Sequence, residues 1–150
     1  MNPSDAATLR LNAALICERV LEEKDGTLSI IRIADRLAIE VAGQLSDSDE
    51  PLVRVPGVLV LVFKRDTENA SEHRINVSGT DSSGREVLSV EAPLRIAAGA
   101  GQGFDLIVPL AFPVSGGGLY WVNVAADGQL LTRIPIEVVI RSRPDTLTNL

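Results

Sequence analysis

The chain has 150 residues, of which 45% are hydrophobic, 23% charged and only 3% aromatic, and it carries a formal net charge of −6. This length suits one domain that buries roughly 68–70% of its unfolded surface without disulfides or metal. The acidic balance argues against a nucleic-acid partner, which requires a basic surface.

No apolar run approaches the ~20 residues needed to span a bilayer, so no membrane association is expected. The N-terminal M-N-P-S-D-A-A-T-L-R lacks the basic region and long apolar core of a secretory signal. Cys17 is the single cysteine, which excludes an intrachain disulfide and fits a reducing compartment. The expectation is a cytoplasmic protein.

The first patterned segment, Leu11 to Ile33, has two readings for its first half. Leu11, Ala14, Leu15 and Glu18 can share one side of a helix. Against this, Lys24-Asp25-Gly26 is a turn signal followed by the β-rich T-L-S-I-I-R-I, and two β-like runs flanking Asp-Gly make a hairpin. Strand–turn–strand is the favoured reading. From Ala34 to Pro56 the pattern dissolves into a polar, acidic stretch that Pro56-Gly57 closes.

Val58 to Lys64 (V-L-V-L-V-F-K) then reads as a central strand. His73 to Gly79 alternates with period two, and the turn Thr80 to Gly84 leads into a strand over Arg85 to Glu91. Leu94 to Ile96 is short, and a glycine-rich loop covers Ala97 to Gly103. Phe104 to Phe112 is β-like, with Pro109 placing it at an edge or a bulge. Leu119 to Ala125 and Leu130 to Ile140 flank a second Asp-Gly turn, and a polar tail starts at Pro144.

About eight strands at 8–15-residue spacing, with no convincing helix, predict an all-β antiparallel sandwich or barrel. Residues 1–143 form one β-sandwich domain on this reading. Its core would take Val58, Val60 and Val62 or their alternates, with Ile75, Val77, Leu106, Val108, Tyr120, Val122, Val124, Ile134, Ile136 and Val138.

Few motifs offer chemistry. Gly99-Ala100-Gly101-Gln102-Gly103 superficially suggests a phosphate loop, but its third glycine is one residue early for G-x-G-x-x-G and a strand-like run follows. A loop between strands is the better reading. His73, the only histidine, has no G-x-S-x-G nucleophile elbow to serve, and reads as an exposed strand-end residue. Cys17 lies among Leu15, Ile16 and Val20, where a thiol behaves as a small hydrophobe, and Arg19 is its only basic neighbour in sequence.

One Cys and one His make a zinc site improbable. Asp47, Asp49 and Glu50 with Asp81 could gather around calcium, yet D-S-D-S-D-E fits no EF-hand spacing and suits a solvated loop. No catalytic residue, cofactor or metal is therefore assigned, and the chain is not expected to be an enzyme.

Two segments carry a resemblance. One is A-L-I-C-E-R-V-L-E-E-K-D-G-T-L-S-I-I-R-I-A-D-R-L; the other is G-L-Y-W-V-N-V-A-A-D-G-Q-L-L-T-R-I-P-I-E-V. Together they frame Leu11 to Arg141, and the pattern resembles an uncharacterised family of small bacterial β-sandwich proteins, a domain of unknown function. The resemblance implies an immunoglobulin-like or similar sandwich, and it moves Leu11 to Leu21 further towards strand; the fold expected is an all-β, immunoglobulin-like sandwich of seven to nine strands. It implies no activity. Arg32 stands where that family would have a small residue, often glycine.

Gly118-x-Tyr120-x-Val122 matches the spacing of the tyrosine corner of immunoglobulin-like domains, with Val122 where a cysteine often sits. Gly116 stands where the motif often has aspartate, which leaves the corner hydrogen bond in question. If Tyr120, Val122 and Val124 face inward, alternation sends Leu119, Trp121 and Asn123 to the opposite face. These three are the candidate interface, since exposed tryptophan is enriched among interface anchors. The competing reading has the tail or the Ala34 to Pro56 stretch covering Trp121.

The functional expectation is a non-catalytic interaction or adaptor module of a bacterial system with an unidentified protein partner. The alternative is a small-ligand or carbohydrate-binding domain. Open sandwiches also have edge strands that can pair with a second copy to give a homodimer.

Overall fold

Alternating apolar and polar residues form nine strands in a computed structural model that describes residues 9–42 and 53–143. The strands are β1 Leu9–Glu22, β2 Leu28–Ile33, β3 Arg36–Ala42, β4 Val53–Arg65, β5 Ser71–Thr80, β6 Glu86–Ile96, β7 Gly103–Val114, β8 Gly118–Ala126 and β9 Gln129–Arg143. They make a four-stranded sheet in the order β2-β1-β4-β7 and a five-stranded sheet in the order β3-β9-β8-β5-β6. Neighbours are antiparallel except for β3 and β9, which run parallel. The molecule is thus the all-β sandwich that the strand spacing predicts, with a parallel edge pair that local sequence does not announce.

The ambiguous Leu11 to Leu21 lies in β1, and the Asp25-Gly26 turn returns the chain antiparallel into β2. Gly26 takes φ +84°, and the turn closes with the Gly26 N–H donating to the Glu23 carbonyl at 2.9 Å. Asp127 and Gly128 form a two-residue loop between paired Ala126 and Gln129, with φ values of 50° and 82°. These are the left-handed values that this kind of tight hairpin requires.

Expectations about strand bounds need correction: the strand expected over Arg85 to Glu91 and the short Leu94 to Ile96 are one strand, β6. The region after Ala34 is not patternless, because Arg36–Ala42 forms β3, and β4 starts at Val53, earlier than Val58. Within β4 the alternates fill the core: Leu59, Leu61 and Phe63 are fully buried in it. Val58, Val60 and Val62 share the opposite face of their sheet with Leu15, Cys17 and Ile107, as the register with β1 and β7 dictates.

The five-stranded sheet contributes Ile75, Val77, Tyr120, Val122, Val124, Ile136 and Val138 to the core. Gly79 sits mid-strand on that inner face because a Cβ there would meet Phe112 Cζ at 2.5 Å. The Phe112 ring in turn meets Tyr120 edge to face, with centroids 5.7 Å apart.

Candidate functional site

The glycine-rich loop presents chemistry opposite to that of a phosphate cradle. Gly99 and Gly101 adopt φ values of 75° and 94°, and the loop turns backbone carbonyls towards the buried Arg65 side chain. The guanidinium donates to Gly101 O at 2.8 Å, Asn69 O at 2.5 Å and Ala97 O at 3.2 Å. A phosphate loop offers N–H groups to an anion, whereas this one offers C=O groups to a cation of its own chain. Sequence reasoning missed Arg65, although an arginine ending an apolar strand was the available signal.

His73 is not an exposed strand-end residue. Its odd-numbered place on β5, in line with Ile75 and Val77, turns it inward, and it is 8% exposed. Its Nδ1 lies 2.7 Å from Asp127 Oδ2, while Asp127 Oδ1 accepts the Arg74 N–H at 2.9 Å. Partial burial works to raise the Asp127 pKa, but these hydrogen bonds and the neighbouring positive charge outweigh it and hold it below the usual value. Nε2 of His73 is buried with no hydrogen-bond partner among the described residues, and so is Ser71 Oγ. Among the described residues no hydroxyl or thiol bonds the imidazole on the side away from Asp127, where a hydrolytic triad places its nucleophile.

Cys17 is fully buried, and burial pushes its thiol pKa up; its Sγ meets the Arg19 carbonyl at 3.6 Å. Of the acidic set considered for calcium, Asp47, Asp49 and Glu50 lie outside the described residues, as does the tail from Pro144. Asp81 instead organises its own turn, accepting from the Ser83 N–H, the Ser83 hydroxyl and the Arg85 N–H.

The structure brings Leu119, Trp121 and Asn123 together on the outer face of the five-stranded sheet. Tyr120 fixes that orientation: its ring enters the core and its hydroxyl donates to the Gly116 carbonyl at 2.9 Å. Gly116 thus serves the tyrosine corner through its backbone, so the absent aspartate side chain is not needed. Burial raises the Tyr120 pKa, which keeps the phenol protonated as a donor.

Across the face, Trp121 stands opposite Thr80 of β5 and Pro135 of β9. The Arg133 guanidinium carbon sits 4.1 Å from the indole centroid, a cation–π contact. Trp121 is half-buried as a result, neither fully open nor sealed. Leu119 is 43% exposed beside it, and Asn123 Nδ2 donates to Ser78 Oγ at 3.4 Å. An apolar indole, a leucine and a stacked arginine thus stand together on this outer face.

The fold is shared with domains of larger proteins. A β-glucosidase from Listeria innocua, solved in complex with glucose, superposes with a TM-score of 0.56 at 13% identity over 91% of this chain and 17% of that one. The GH3 β-glucosidase of Bifidobacterium adolescentis gives 0.53 at 8% identity, over 88% and 17%. The C-terminal domain of Wzt gives 0.54 at 9% identity, over 92% and 80%. This chain spans less than a fifth of those β-glucosidases, and at such identities the likeness is one of fold. No curated protein matches significantly. Family-level similarity covers residues 12–139, which include both hairpins, the tyrosine corner and the Trp121 face, and the chain belongs to the family of unknown function DUF6941.

Proposed function

We propose that this chain is a non-catalytic interaction module of a bacterial cytoplasmic system, docking a protein partner on the outer face of β8 and β9. The observation that carries the reading is the Trp121–Arg133 stack beside exposed Leu119. Tryptophan and arginine are the residue types most enriched among interface hot spots, and each is held here on a rigid strand. The conventional catalytic candidates support it from the other side: the glycine loop is occupied by Arg65, the histidine is turned inward, and the thiol is buried. A single buried cysteine with a raised pKa is compatible with a reducing compartment.

The test is co-purification with the full chain and with Trp121→Ala. The variant is expected to keep its fold and lose its partner, because the substituted ring lies outside the core. Trp121 is the only tryptophan, so its fluorescence reports a bound small molecule without interference. Saturable quenching by a sugar or metabolite, with co-purification unchanged in Trp121→Ala, would overturn the docking reading in favour of a ligand-binding domain.

A further inference from the structure

Among the described residues the two sheets end in four edge strands, and they are not equally protected. The outer strand β7 carries Pro109 and Pro113, opposite Val58 and Arg54 of β4, and β6 carries Pro93 opposite Arg74 of β5. A proline in an edge strand sits where its missing N–H would point outward, so these edges lose donors that another strand would need. The third edge, β2, is six residues long and is interrupted by Arg32 at φ 57°. The fourth, β3, is regular over Arg36–Ala42, with no proline, no glycine and no positive φ.

On β3 the backbone direction is set by its parallel partner. The Glu137 N–H donates to the Asp35 carbonyl at 3.0 Å, and Arg36 is paired with Glu137. Backbone polar groups alternate along a strand, so those of Leu37 and Ile39 turn towards β9. Those of Arg36, Ala38 and Glu40 turn outward.

We propose that β3 pairs antiparallel with β3 of a second copy about a two-fold axis at Ala38. In that register Ala38 faces Ala38 of the other copy, and Arg36 faces Glu40 in both directions. These are the residues whose backbone groups point outward, so the register makes about six inter-chain backbone hydrogen bonds. The charged side chains share the outer face, where Arg36 already bonds Glu137 at 3.1 Å and Arg141 stands opposite Glu40. Pairing extends this into rows of alternating sign across four strands. Centring the axis on Leu37 or Ile39 instead would set a charge against Ala38 and forfeit the complementarity.

The inner face matches as well. Leu37 and Ile39 lie beside a cleft of about 660 Å³ at the mouth of the sandwich, with Ile33 and Val55 in its lining. The second copy adds its own Ile39 and Leu37 at that mouth. The result is a ten-stranded sheet carrying two Trp121 faces on the same side, whatever those faces bind.

Sedimentation velocity on the full chain at micromolar concentration tests the arrangement. Wild type is expected to sediment as a dimer. Ala38→Pro should sediment as a monomer with unchanged circular dichroism, because the lost N–H faces outward, away from β9. Arg36→Glu and Glu40→Arg should each be monomeric, since each sets like charges opposite one another. Mixed together they should recover a heterodimer, in which every pair is again of opposite sign. A wild-type mass of one chain, a dimer that survives Ala38→Pro, or a mixture that stays monomeric would each overturn the proposal.

Discussion

Tyr120 shows how one side chain joins sequence, packing and surface. Its spacing from Gly118 and Val122 marks the corner in the sequence, but the acceptor is the Gly116 carbonyl, which spacing alone does not reveal. Tyr120→Phe keeps the ring against Phe112 and removes only that bond. Chemical denaturation should show a loss of about 1 kcal/mol, with the m-value unchanged. Arg32 is the complementary case. It occupies a left-handed conformation, which costs a non-glycine residue roughly 1–2 kcal/mol. This accounts for a small residue, often glycine, being expected at that position. Its ion pair with Glu18, at 3.1 Å between two exposed side chains, offsets little of that cost.

At the scale of elements, the two Asp-Gly hairpins were legible because their turns demand residues that tolerate positive φ. The parallel β3–β9 pair was not, because its partners are about a hundred residues apart and no local turn joins them. The glycine loop was legible as a loop but not in its role, since its carbonyls acquire meaning only once Arg65 is buried among them. That cluster ties the β4–β5 and β6–β7 connections together, and Gly99 N–H adds a bond to the Glu68 carbonyl at 2.8 Å. Arg65→Met keeps the apolar stem but leaves the three carbonyls without their donor. We expect a loss of about 3 kcal/mol by equilibrium denaturation, with faster proteolysis in residues 66–70 and 97–102.

At the scale of the whole molecule, carboxylates of three turns among the described residues are held below their usual pKa. Asp25 is lowered chiefly by hydrogen bonding to Thr27, and Asp81 by the Ser83 hydroxyl. For Asp127, burial is the largest influence and opposes the shift, but the bonds from His73 and Arg74 prevail. A carboxyl with a depressed folded pKa contributes stability that is complete above its unfolded value and lost as pH falls through the folded one. Unfolded aspartate titrates at about 3.9, so these three contribute a melting temperature that is level near neutrality and falls below about pH 4. Asp127→Asn should make that acid-side fall shallower in a thermal melt. A curve identical to wild type would remove the His73–Asp127 contact from the account of acid stability.

By itself the sequence determined the all-β class and the hairpins, together with the spacing of the tyrosine corner and the alternation that sets Trp121 opposite Tyr120 across β8. Each of these follows from alternation or turn chemistry within a few residues. Only the tertiary structure decided which alternates of β4 enter the core, because both of its faces are apolar and packing against the other sheet selects one. It likewise decided that Arg133 stacks on Trp121 and Arg65 fills the glycine loop, and that β3 runs parallel beside β9 as the outermost described strand of its sheet. Those contacts join residues far apart in the chain, and no local pattern encodes a neighbour that only the fold brings near.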